Sequence, residues 1–200
     1  NKKELSLFKK LNTPERVQTF LNSIPFNFEK NGVATLKSPI RVLREDSAHC
    51  IEGAILGSYI LSLHKIKSYL LHLKTTKDDF EHVIVVFKIN GYFGALSKTN
   101  HSVLRYRDPV YKSVRELVMS YFHEYTTDDG LKTLRSYSEL LNLAEFGRDW
   151  PFEEGDLWGI DEELGRVKHY YIMPKGLKLR RADPIERLVG KNLEWPNKQG

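Results

Sequence analysis

Residues 81–89 contain the run His82-Val83-Ile84-Val85-Val86-Phe87, rich in β-branched side chains, and end at Asn90-Gly91. Asn-Gly between two apolar runs is the strongest short hairpin signal, because both residues accept the positive φ that a two-residue type I′ turn requires. The pattern predicts a strand, a tight turn and an antiparallel return over 92–97. It also fixes a register, with Ile89 opposite Tyr92, Phe87 opposite Gly94, Ile84 opposite Ser97 and His82 opposite Thr99. On that register His82 shares a sheet face with Ile84, Val86, Ala95, Ser97 and Thr99. Ser97 is diagonal to it, and Asn100 falls on the other face unless a bulge intervenes.

Upstream, a helix from Asp46 or Ser47, either of which can cap it, to about Leu63 puts Ile51, Ala54, Ile55, Ser58 and Leu61 on one side. This helix carries Gly53 and Gly57, and each interior glycine costs about 1 kcal/mol against alanine. Tolerating both predicts that the helix lies close against a sheet. Residues 68–73 have the length and apolar run of a further strand.

Outside this segment the signals are sparser. Thr13-Pro14-Glu15 starts a helix with Val17, Phe20 and Leu21 on its apolar face. Residues 24–43 read as a connecting arm with turns at Asn31-Gly32 and Ser38-Pro39. Ser113-Val114-Arg115-Glu116 is a capping box for a helix to about Phe122. Residues 126–200 alternate turns with short apolar pieces such as His169-Tyr170-Tyr171-Ile172-Met173, and contain Trp150, Trp158 and Trp195. Such large apolar rings predict a C-terminal flank or lid packed on the core. The expected organisation is one domain over 1–200, with an N-terminal helix and arm (1–45), a core (46–125) and that flank (126–200).

With a single cysteine, Cys50, the chain can have no internal disulfide and has no Cys/His spacing for structural zinc. Stability is expected from packing in a reducing compartment, which predicts a cytoplasmic protein. The longest apolar stretch, 54–63, is about half of a bilayer span, and residues 1–10 lack a signal-peptide apolar region, so no membrane association is expected. The net charge of +5 is spread along the chain, and a mild, dispersed excess does not argue for nucleic-acid binding.

Cys50 falls in the first turn of the predicted helix, where free N–H groups and the macrodipole lower a thiol's pKa. His82 opens the hairpin strand. Taken alone, each has a plainer reading, as a small buried residue and as a strand-edge histidine. Together, a nucleophile on a helix, a base on a neighbouring strand and an orienting group on the next make the geometry of acyl transfer.

The order and spacing of Ala48-His49-Cys50-Ile51-Glu52-Gly53-Ala54 and of His82 through Asn90-Gly91-Tyr92 resemble the transglutaminase-like superfamily, a relative of the papain fold, in a bacterial-type member. The resemblance covers roughly 45–100. It implies an α+β fold in which a catalytic-type helix packs on an antiparallel sheet. It further implies a cysteine enzyme acting on an amide or acyl group through a thioester, as a peptidase, amidase, deamidase or acyltransferase, with a peptide or amide-bearing substrate and no cofactor. Cys50 would be the nucleophile and His82 the base. Where the family usually places an aspartate, this chain has Ser97, with Asn100 as the alternative third member and Asp78 or Asp79 behind them. A hydroxyl fixes the imidazole tautomer but cannot stabilise an imidazolium as a carboxylate does. The alternative is therefore a binding module that keeps the fold without catalysis.

Arg105 and Arg107 follow the hairpin and are weak candidates for orienting substrate, against the commoner role of holding a loop together. Cys50, His82 and Asp79 lack any metal-binding spacing, and no metal is expected. Residues 175–181, with Lys175, Lys178, Arg180 and Arg181, read as a solvated edge strand.

Overall fold

A computed structural model describes residues 2–29, 32–101 and 103–192. In chain order it contains helices α1 (Lys2–Lys10), α2 (Pro14–Ser23), α3 (Pro39–Glu45) and α4 (Cys50–Leu63), then strands β1 (Ser68–Lys74), β2 (His82–Ile89), β3 (Tyr92–Leu96) and β4 (Arg107–Tyr111). Helix α5 (Val114–Met119), strand β5 (Ser136–Ser138), helix α6 (Trp158–Arg166), strand β6 (His169–Tyr171) and helix α7 (Pro184–Asn192) complete it. The strands form one antiparallel sheet in the order β4-β3-β2-β1-β5-β6.

The hairpin has the register its sequence dictates, with Ile89 opposite Tyr92, Phe87 opposite Gly94 and Val85 opposite Leu96. Asn90 and Gly91 both adopt positive φ, at 51° and 89°, as a type I′ turn requires. β2 is central, so its side chains are buried on both faces. Val83, Val85 and Phe87 join α4 and α2 in one cluster; Ile84 and Val86 join Leu117, Val118 and Tyr121 in the other. The result is the expected α+β arrangement, a helix on one face of an antiparallel sheet. Each fully buried leucine or isoleucine contributes about 1.5–3 kcal/mol.

The glycines of α4 explain how close that helix comes. A Cβ at Gly57 would meet Leu96 Cδ1 at 2.8 Å, and one at Gly53 would meet Lys98 Cβ at 2.2 Å. Close packing on the sheet is thus a property of these two positions.

Several elements differ from the sequence reading. The arm contains α3, because Ser38-Pro39 is a cap and first-turn proline rather than a free turn; Ser38 Oγ accepts the Arg41 N–H at 3.4 Å. The loop after the hairpin contains β4, which tolerates Pro109 because it is an edge strand. α5 stops at Met119, and the chain continues to Tyr125 in turns. The C-terminal part adds β5 and β6 to the sheet beyond β1. Residues 175–181 form no strand; the edge there is β6. Trp150 packs edge-on against Tyr59, ring centres 5.8 Å apart, while Trp158 is 42% exposed. Trp195 and Asn31 lie outside the described residues. Among the described residues no helix is long and apolar enough to cross a membrane.

Candidate active site

Cys50 is the first residue of α4, and its N-cap is His49, not Asp46 or Ser47. Asp46 instead ends α3 in the left-handed conformation, at φ 46°. The first turn of α4 is closed from within, since the Glu52 carboxylate accepts the His49 N–H at 2.9 Å. Glu52 is fully buried and also accepts from Thr35 Oγ1 at 2.8 Å, Lys37 N at 3.0 Å and Asn27 Nδ2 at 3.2 Å. Lys37 Nζ approaches it to 3.8 Å. One carboxylate therefore ties the arm to the turn that presents Cys50.

Two imidazoles act on the thiol. Burial works to raise it, hydrogen bonds with His49 and then His82, together with their charges, lower it, and the net effect holds Cys50 down at about 5. His49 shows the reverse balance. Burial works against its cation, but the Cys50 hydrogen bond, the Glu52 charge and the Thr35 carbonyl raise it to about 9. The His49 Nε2 lies 2.8 Å from Thr35 O, 3.5 Å from Glu52 Oε1 and 3.6 Å from Glu29 Oε1.

His82 is the first residue of β2, paired with Leu73 of β1, and is 7% exposed. Its neighbour Glu81 accepts a 2.8 Å hydrogen bond from His72 Nε2, which pins the start of the strand. His82 Nε2 is buried without a hydrogen-bond partner. The β2–β3 ladder ends at the Val85–Leu96 pair, before it reaches His82.

Cys50, His49, His82, Thr99, Asn100 and Tyr125 line one cleft of roughly 650 Å³. Ser97 does not line it. Its hydroxyl donates to Leu104 O at 2.5 Å and its backbone exchanges hydrogen bonds with the Gln18 amide at 2.8 and 2.9 Å, so the buried serine knits β3 to α2 and to the following loop. Thr99 is also buried, and its Oγ1 accepts the His101 N–H at 3.0 Å. Asn100 reaches the cleft although strict alternation puts it on the far face, because the ladder ends at Leu96. Asp79 lines the cleft with its carboxylate engaged by the Phe80 N–H at 2.8 Å and by the Thr133 hydroxyl; Asp78 is exposed.

The arginines fulfil the loop-holding role. Arg107 donates to Ser120 Oγ at 3.0 Å and to Tyr106 O at 3.1 Å, pairs with Glu124 and stacks 4.1 Å over the Tyr121 ring. Arg105 donates to Thr99 O at 3.4 Å, and neither arginine lines the cleft.

Three residues escaped sequence reasoning for different reasons. His49 was legible as the neighbour of Cys50, but the cap was assigned upstream. Thr99 was legible from the register, which set it opposite His82, yet the family pattern pointed to position 97. Tyr125 carried no local signal, because it arrives from the turns after α5. Its hydroxyl is buried in the cleft without a partner, and burial together with the nearby Cys50 charge keeps the phenol protonated. Among the described residues no group of three His, Cys, Asp or Glu side chains is arranged to hold a metal.

Known proteins resemble parts of this chain. A model of the vasohibin family matches residues 15–135, a span that contains Cys50, His82, Thr99 and Tyr125. Mouse (Mus musculus) tubulinyl-Tyr carboxypeptidase 1 is 29% identical over 79 residues, which cover 38% of this chain and 21% of that protein. The chain therefore matches about a fifth of that relative's length. Among solved structures, Legionella pneumophila LapG is similar with a TM-score of 0.39 at 16% identity, over 46% of this chain and 59% of that one. Its EGTA-treated form gives 0.43 at 12% identity, over 72% and 81%. The vasohibin match lends no support to a bacterial-type placement. It covers more than half of the sequence, and the chain belongs to the vasohibin family.

Proposed function

We propose that this protein is a cysteine peptidase in which Cys50 is the nucleophile, His82 the acid–base and Thr99 the group that orients His82. The observation that carries the reading is the Cys50 thiol, first in its helix, open to a cleft and held at about 5 by two imidazoles. A thiol in that condition is a thiolate at neutral pH and a ready nucleophile.

In the reaction, the Cys50 sulfur bonds to the substrate carbonyl carbon and the carbonyl π electrons move to oxygen. The Cys50 N–H, at the start of α4, and the Tyr125 hydroxyl are the donors for that oxyanion. Collapse breaks the C–N bond while His82 gives its proton to the departing amine. Water then attacks the thioester, His82 takes its proton, and the acid leaves with the thiolate restored. In turnover the Thr99 hydroxyl is to take up the N–H of the unpartnered His82 Nε2 and fix the ring, the role that the family pattern gives to position 97.

The name of the mouse relative, a tubulinyl-Tyr carboxypeptidase, supports a peptide bond next to a chain terminus as the first substrate class to test. The non-catalytic alternative rested on Ser97 in place of a carboxylate, and it predicts a His82 too far from Cys50 to bond it or a blocked pocket; the hydrogen bond between His82 and Cys50 and the open cleft support the enzyme. Incubating the chain with peptides bearing free or amidated C-termini and reading the products by mass spectrometry tests this. Loss of C-terminal residues from the free acids, abolished by Cys50→Ala, is expected. Intact peptides together with a thiol that alkylates like free cysteine would overturn it.

A further inference from the structure

The thiol of Cys50 has two imidazole partners, and their surroundings differ in a way that divides the work. His49 is walled in by acceptors. Its Nε2 faces the Thr35 carbonyl at 2.8 Å, the Glu52 carboxylate at 3.5 Å and the Glu29 carboxylate at 3.6 Å. A ring nitrogen among one carbonyl and two carboxylates must carry a proton, and the combined negative charge of Glu29, Glu52 and the Cys50 sulfur favours a second proton on the ring. Lys37 offsets part of this by approaching Glu52 to 3.8 Å and Glu45 to 3.7 Å. Around His82 the groups are of another kind. Its Nε2 is buried and unpartnered, the Tyr125 phenol is neutral, Asp79 is engaged by Thr133, and Glu81 is paired to His72.

We infer that His49 is a fixed cationic counter-ion of the Cys50 thiolate, which leaves His82 free to gain and lose the proton of each turnover. This rests on the reading of Cys50 as a nucleophile. A second imidazole that stays charged supports the resting thiolate whatever the protonation of His82, which gives up its proton only after the sulfur has bonded to carbon. The balance at the two residues agrees, with the Cys50 hydrogen bond and the Glu52 charge holding His49 at about 9 against its burial.

Because Cys50 is the only cysteine in the chain, iodoacetamide reads it alone. The alkylation rate across pH gives the thiolate midpoint without any substrate. His49→Gln keeps an N–H donor for Thr35 but no charge; His49→Lys restores the charge. The expected result for His49→Gln is a midpoint about two units higher and alkylation near pH 6 slowed about tenfold. His49→Lys recovers most of that rate, and His82→Ala moves the midpoint less than His49→Gln does. In the wild-type chain, the His49 ring followed by NMR stays an imidazolium until about pH 9.

An unshifted midpoint in His49→Gln, failure of His49→Lys to recover, or a His49 ring that titrates like an ordinary histidine overturns the inference. Should His49→Gln not fold, the wild-type NMR titration decides. A chain with the expected thiol titration that cleaves no peptide overturns the peptidase reading alone; peptide cleavage with an ordinary His49 overturns this one alone.

Discussion

Gly53 of α4 and Lys98 after β3 touch backbone to side chain, so that a methyl group on the glycine would stand 2.2 Å from Lys98 Cβ and 2.8 Å from Cγ. Lys98 cannot step aside. It is 4% exposed, and its ammonium donates to the Ile24 carbonyl. Gly53→Ala is therefore expected to lower stability by about 1–3 kcal/mol through overpacking, against the helical preference of alanine. Gly57→Ala meets the end of the flexible Leu96 side chain and costs less. Urea unfolding of both variants checks this, and a Gly53→Ala chain as stable as wild type would refute the packing argument.

Thr99 and Ser97 separate catalysis from architecture. Thr99→Ala should slow turnover about a hundredfold, within the range ascribed to a positioned acid–base, and cost about 1 kcal/mol through the lost acceptor of the His101 N–H. Ser97→Ala removes a buried hydrogen bond to Leu104 and should cost about 1–2 kcal/mol with turnover kept. Steady-state rates and thermal melts of the two variants decide it; the reversed pattern would return the orienting role to Ser97.

Tyr125→Phe removes a hydroxyl that is buried without a partner. Such a group costs stability where it sits, so the variant is expected to melt at the same temperature or higher. Loss of one oxyanion donor should lower kcat about 10²-fold with little change in KM. An unchanged kcat would remove Tyr125 from the mechanism.

The paired shifts at Cys50 and His49 set opposing slopes of stability against pH. Cys50 is lowered from 9.0 to about 5, so the unfolded chain holds the extra proton in that window. Its contribution is complete above 9.0 and is lost as pH falls through about 5. His49 is raised from 6.5 to about 9, so its contribution is complete below 6.5 and is lost as pH rises through about 9. From 6.5 to 9 the two cancel, and denaturant midpoints should be flat there and fall on the acid side. Cys50→Ala leaves only the His49 slope, which also weakens because the sulfur no longer supports the cation. That variant should lose stability with rising pH just above neutrality, and a curve parallel to wild type would contradict the pairing.

The hairpin was legible to the residue because Asn90-Gly91 admits one turn geometry, and a turn fixes every pair beyond it. Gly53 and Gly57 were legible as contact points because helix interiors tolerate glycine only for a reason. The start of α4 was not, because its cap acts through a side chain three residues inside the helix, Glu52, rather than through the preceding Asp46. Strand β4 hid behind Pro109, which argues against a central strand but not against an edge. Tyr125 and the β5–β6 addition depend on contacts between distant parts of the chain, and no local pattern encodes those.

The cleft draws Phe26 and Glu29 from the arm, Cys50 from α4, Glu81 and His82 from the hairpin, Tyr125 from the turns after α5 and Arg187 from α7. Residues 50–96, by contrast, form a helix and neighbouring strands in simple succession, the kind of local pairing that closes early in folding. Cys50 and His82 belong to this local unit, while Glu29 and Tyr125 reach the cleft from segments outside it. The reactivity of the Cys50 thiol thus draws its imidazoles from neighbouring elements and the acceptors around His49 from the arm.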